Sequence, residues 1–230
     1  MAVIGSGITI SGGVTFDILP QYYNASEGLL FTGNARAFSG WTLSTGGSGA
    51  PSIDANIGNP APSFRLIVSN QSFYRNMGTK FLNKTIQYDI RLGLVGTGGA
   101  NTGADVVFIF AQNSGASSSY RGVLRTWQSN VAVTQGLTTT DNGGWLYAGL
   151  SVGNETSQLF AGDTWYTIKI RITSGGVVTW YINGTLQSST ITLPAGYATA
   201  NETFNWFGFV SNNYGGTANI DNIYIWDGIV

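Results

Sequence analysis

No stretch of this chain runs far without a turn. Its 33 glycines are spread along the whole length among Asn and Ser. Between them lie short segments in which apolar and polar residues alternate, the period of a half-buried strand and not of a helix. The clearest is Thr85-Ile-Gln-Tyr-Asp-Ile-Arg-Leu92, which places Ile86, Tyr88, Ile90 and Leu92 on one face and Thr85, Gln87, Asp89 and Arg91 on the other. Trp165 to Ile172 repeats it, with Tyr166, Ile168, Ile170 and Ile172 inward and Trp165, Thr167, Lys169 and Arg171 outward. Val106 to Ala111 is short and continuously apolar, as where both faces are covered. Ser174-Gly-Gly-Val177 turns the Trp165 strand into Val178 to Ile182, and Asn183-Gly184 turns it again toward Leu186. Strands at 204–211 and 219–226 follow, so the last strand lies inside a sheet, and alternation assigns Trp180, Phe207 and Phe209 to the core.

These signals predict an all-β protein: one antiparallel two-sheet jelly-roll sandwich over 17–230, preceded by an extended arm or edge strand at 1–16. Residues 34–62, with Ser44-Thr-Gly-Gly-Ser-Gly49 and three of the five prolines, read as mostly loop. The length suits a single sandwich.

Only 9% of residues are charged and the net charge is −1. A surface of Ser, Thr, Asn, Gln and Gly has no long-range field to steer toward phosphate, which argues against nucleic acid and membrane partners and suits sugars or protein neighbours. The absence of Cys and His removes disulfides, thiolate chemistry and imidazole catalysis. No cofactor is expected. Asp221 and Asp227, with Asn219 and Asn222 nearby, would be oxygen ligands for calcium if they clustered; the plainer expectation is that Asp221 serves backbone donors. Asp141, Glu155 and Asp163 are a second acidic set of the same kind. Met1 to Phe16 has no basic start and reads as a strand or arm, not a signal peptide. Six N-x-S/T sequons, at Asn24, Asn70, Asn83, Asn154, Asn183 and Asn201, are what an Asn-, Ser- and Thr-rich chain produces by chance.

Two aromatic groups stand out. Trp127, Trp145, Tyr147 and Tyr214 lie beside loop residues, where a ring could stack on a sugar or anchor a protein interface. Arg121, Arg125 and Trp127 share one face by alternation, a small cationic and aromatic surface. Against these stands the reading in which the aromatics are core and the arginines solvated.

Trp165-Tyr-Thr-Ile-Lys-Ile-Arg-Ile172 followed by Gly175-Gly-Val-Val-Thr-Trp-Tyr-Ile-Asn-Gly-Thr-Leu-Gln187 resembles the paired strands of concanavalin A-like, laminin-G-like jelly rolls. Ile220-Asp-Asn-Ile-Tyr-Ile-Trp226 is similar to their closing strand, and Gly58-Asn-Pro-Ala-Pro-Ser63 to a loop near their start. Catalytic members of the β-glucanase branch carry an E-x-D-x-E strand. That strand is absent here, and Glu27, Glu155 and Glu202 sit in turn-like contexts, so no enzyme is expected. Met1 to Thr15 resembles the openings of tailed-phage virion proteins. That likeness implies a capsid cement or decoration subunit, assembled in the bacterial cytoplasm onto a major capsid protein, homo-oligomeric, with Ile4, Ile8, Ile10 and Val14 of the arm pairing with a neighbour. The alternative is a carbohydrate-binding, lectin-like module, on a phage tail or extracellular, with a glycan as ligand.

Overall fold

The computed structural model describes residues 21–23, 40–44, 50–67, 71–76, 82–93, 105–111, 120–128, 133–137, 156–160, 163–187, 190–192, 206–211 and 217–230. They form strands and no helix: β1 (Gln21–Tyr23), β2 (Trp41–Ser44), β3 (Ser52–Asp54), β4 (Ser63–Leu66), β5 (Ser72–Asn76), β6 (Lys84–Gly93), β7 (Asp105–Ala111), β8 (Tyr120–Gln128), β9 (Val133–Leu137), β10 (Thr156–Phe160), β11 (Trp165–Ile172), β12 (Val177–Ile182), β13 (Thr185–Leu186), β14 (Ile191–Thr192), β15 (Trp206–Ser211) and β16 (Thr217–Asp227).

They build two antiparallel sheets. The nine-stranded sheet runs β13-β12-β11-β6-β16-β4-β3, with β14 also pairing β12 and β1 also pairing β16. The seven-stranded sheet runs β10-β9-β8-β7-β15-β5-β2. This is the two-sheet sandwich expected from the alternation.

The core lies between the sheets. Ile86, Tyr88, Ile90 and Leu92 of β6 and Ile168, Ile170 and Ile172 of β11 are buried, and Tyr166 packs against them. From the facing sheet come Phe73, Phe207 and Phe209, also buried. Aromatic rings bridge the two layers: Tyr88 meets Phe209 edge-on at 4.9 Å, and Phe64 lies 5.6 Å from Trp41 and 5.1 Å from Phe73. Each such ring contributes roughly 1.5–3 kcal/mol of burial. Burial also holds the Tyr88 hydroxyl well above the ordinary phenol range.

The Asn183-Gly184 turn forms as the sequence implies. Asn183 and Gly184 have φ of 47° and 81°, the mirror-image turn that suits the twist of a hairpin. Residues 34–62, read as mostly loop, also hold two short strands, β2 and β3, which the sequence reading did not single out. Trp41 explains the difference at β2: its ring fills core space between Phe64, Phe73 and Phe207, which ties a short segment to β5 despite the turn residues around it. The 1–16 arm, with Ile4, Ile8, Ile10 and Val14, lies outside the described residues.

Candidate functional site

The outer face of the nine-stranded sheet, turned away from the core, carries the side chains that alternate with the buried set. Register aligns them in rows across the strands. One row is Tyr22, Tyr224, Gln87, Lys169, Tyr181 and Leu186, from β1 to β13. The next is Trp226, Thr85, Arg171 and Thr179. On the other side of the first row come Asp221, Asp89 and Thr167.

The aromatic members stack. Tyr22 and Tyr224 lie with ring centroids 4.5 Å apart, and Tyr224 and Trp226 at 5.6 Å, with interplanar angles of 27° and 23°. Tyr22 is 41% exposed, and Tyr224 and Trp226 are half-buried. The Lys169 ammonium stands over the Trp226 ring at 5.8 Å, and the Arg171 guanidinium over Tyr181 at 4.7 Å. Arg171 also donates to the Tyr181 hydroxyl at 2.5 Å and to a main-chain oxygen of Val230 at 2.6 Å. Burial, and then the neighbouring Tyr22, raise the Tyr224 hydroxyl above its ordinary value.

Beside this stack lies a polar network organised by a β-bulge. Asp221 pairs with Asp89 and Tyr224 with Gln87, so β16 has one residue more than β6 over that interval. The extra residue is Asn222, in the left-handed region at φ 48°, which Asn tolerates better than most side chains. Its side-chain oxygen accepts from the Tyr22 hydroxyl at 2.9 Å, and its side-chain nitrogen donates to Asp89 at 2.9 Å and to the Asn59 carbonyl at 2.5 Å. Asp89 also accepts from Thr167 Oγ1 at 2.6 Å and Asn59 Nδ2 at 3.1 Å. Asp221 accepts the main-chain N–H groups of Asn59 and Asn222, each at 2.9 Å.

All four carboxylate oxygens of this cross-strand pair therefore hold a protein donor, and the pair clamps the 58–60 loop onto the sheet. Asp221 is fully buried. Its pKa is pushed up to about 6, chiefly by burial; the two N–H donors oppose the rise and the Asp89 charge adds to it.

Asp221 and Asp227, grouped above as candidate oxygen ligands, stand apart. Asp227 is opposite Lys84, with which it forms an ion pair, and roughly 17 Å of β6 separates that position from Asp89. Asp163 is bound by Arg91 at 2.5 Å, and Asp141 and Glu155 lie outside the described residues. Among the described residues, no three Asp or Glu side chains come together.

Of the other candidates, Arg121, Arg125 and Trp127 fall on β8. Arg125 and Trp127 pair with Val107 and Asp105, and Arg121 with Phe110. A register shift between Phe108 and Ile109 interrupts the alternation that grouped the three. Their side chains, and all of Trp145, Tyr147 and Tyr214, lie outside the described set. Conversely, the Tyr22, Tyr224 and Trp226 stack went unnoticed in the sequence. Strict alternation carried through the closing strand from Ile220 puts Tyr224 on the core side, and only the bulge restores it to the outer face.

No family model matches the chain, and no curated protein matches it. Solved structures do. The endo-β-1,4-glucuronan lyase of the fungus Trichoderma reesei aligns over 90% of this chain and 94% of its own, with a TM-score of 0.58 and 11% identity. The cellulose induced protein Cip1 aligns over 84% and 94%, with a TM-score of 0.54 and 16% identity. At these identities the likeness establishes the fold: a jelly-roll β-sandwich.

Proposed function

We propose that this protein is a carbohydrate-binding β-sandwich module that holds a saccharide on the outer face of its nine-stranded sheet without cleaving it. One observation carries the proposal: the stack of Tyr22, Tyr224 and Trp226 stands on a solvent-facing sheet surface beside Gln87, Thr179 and Lys169. Sugar rings present apolar C–H faces that pack on aromatic rings and hydroxyls that need donors and acceptors, and this face supplies both. The sandwich fold is one that accommodates a polysaccharide in the glucuronan lyase, which makes a saccharide an admissible ligand class; the assignment here rests on the residues.

The described carboxylates support the reading of binding without cleavage. Where side chains are described, Asp54, Asp163 and Asp227 each lie against a cation, and Asp89 and Asp221 are filled by the network around Asn59 and Asn222. None of these five stands free of a protein partner. The virion reading, placed first in the sequence analysis, draws on residues 1–15, outside the described set, and neither structural likeness above favours it.

Calorimetric titration with soluble oligosaccharides tests the proposal. Tyr224→Ala and Trp226→Ala are each expected to weaken binding roughly threefold to tenfold, the worth of one stacked ring, with no new reducing or unsaturated ends released from the sugar. Affinity equal to wild type in both variants, or no binding to any sugar, would overturn it.

A further inference from the structure

Building on that proposal, we infer that the saccharide is acidic, a carboxylate-bearing sugar such as a uronic acid chain, whose charge is met by Lys169. The distribution of charge on the described surface carries this. Arg65, Lys84 and Arg91 each have a carboxylate partner, in Asp54, Asp227 and Asp163. Arg75, on the other sheet, lies over the Trp41 ring at 5.7 Å. Among the described residues only Lys169 combines a place on the outer face with no carboxylate in ion-pairing range, in a chain that spends few charges anywhere; Arg171, two residues on, already donates to the terminal oxygen of Val230 and to the Tyr181 hydroxyl.

These two alternate on β11, so they rise from the sheet about 7 Å apart on the same side. Lys169 reaches over Trp226, and Arg171 occupies the row of Trp226 itself. The nearest buried carboxylate is Asp89, one row away, and its oxygens are taken by Thr167, Asn59 and Asn222. Among the described residues, then, nothing neutralises the Lys169 ammonium, and it is left to the ligand. A pyranose ring resting on the aromatic stack carries its C6 carboxylate at the ring's rim, where a cation beside the platform meets it. A neutral sugar would leave the Lys169 charge without a counterpart among the described residues. A peptide of acidic residues would satisfy that cation but has no apolar ring face for Tyr224 and Trp226, which is why the sugar is the favoured occupant.

The test uses the full chain and matched oligosaccharides that differ only in the C6 group: hexamers of β-1,4-linked glucose against β-1,4-linked glucuronate, and of β-1,4-linked mannose against β-1,4-linked mannuronate. In at least one pair the acidic member is expected to bind roughly fivefold to tenfold more tightly at low salt, with the preference shrinking as ionic strength rises. Lys169→Gln should collapse the ratio and Lys169→Arg should keep it, which separates charge from folding. Equal binding of acidic and neutral members overturns the inference and leaves the carbohydrate module standing. Binding of none overturns both. Displacement of the bound sugar by hexaglutamate at equal affinity also overturns it, since carboxylate alone would then suffice.

Discussion

Asp221 shows how one buried side chain sets a solution property. Its carboxyl titrates near 3.8 in the unfolded chain and at about 6 in the folded one, so between those values the native state holds the proton more tightly. Stability therefore falls as pH rises through that window, by about 3 kcal/mol from this group, and levels above it. Urea unfolding at pH 4 and pH 7 checks this. Compared with wild type, Asp221→Asn should lose most of that pH-dependent decline, and parallel curves for the two proteins would contradict the assignment. Little of this was readable in the sequence. Alternation put Asp89 on the outer face, but nothing local indicates that Asp221 lies directly across from it, because pairing between β6 and β16 is decided by the whole sheet.

At the scale of elements, legibility followed local chemistry. β6, β11 and the β11–β12–β13 meander were evident because hydrophobic alternation and the Asn183-Gly184 turn are encoded within a few residues. β2 and β3 were not, since their pairing depends on Trp41 finding the core and on β4 offering an edge. The bulge at Asn222 was hidden too, and with it the facing of Tyr224. β15 makes a further demand. A methyl group added at Gly208 would lie 2.2 Å from the Phe73 carbonyl oxygen and 2.7 Å from the Tyr74 ring, so Gly208→Ala forces β15 away from β5. Its expected cost is about 2–3 kcal/mol, read as a lower denaturation midpoint at an unchanged m-value.

For the whole molecule, the sandwich stands on a few large rings shared between its layers. Among the described residues Trp180 is the largest fully buried side chain, and Trp180→Ala should cost about 3–5 kcal/mol in equilibrium unfolding; a loss under 1 kcal/mol would mean that the core is not packed as described. Fold class was legible from the sequence because glycine spacing and alternation recur over the entire length. Function was less so, because the exposed platform joins residues from β1, β6, β11 and β16 that only assembly brings together.

Each sheet is completed in its middle by a strand from the last part of the chain: β15 enters between β7 and β5, and β16 between β6 and β4. On the ribosome, then, the seven-stranded layer stays split down the centre until residue 211 has emerged and the nine-stranded layer until residue 227, and the apolar edges flanking the gaps must be kept from pairing with other nascent chains.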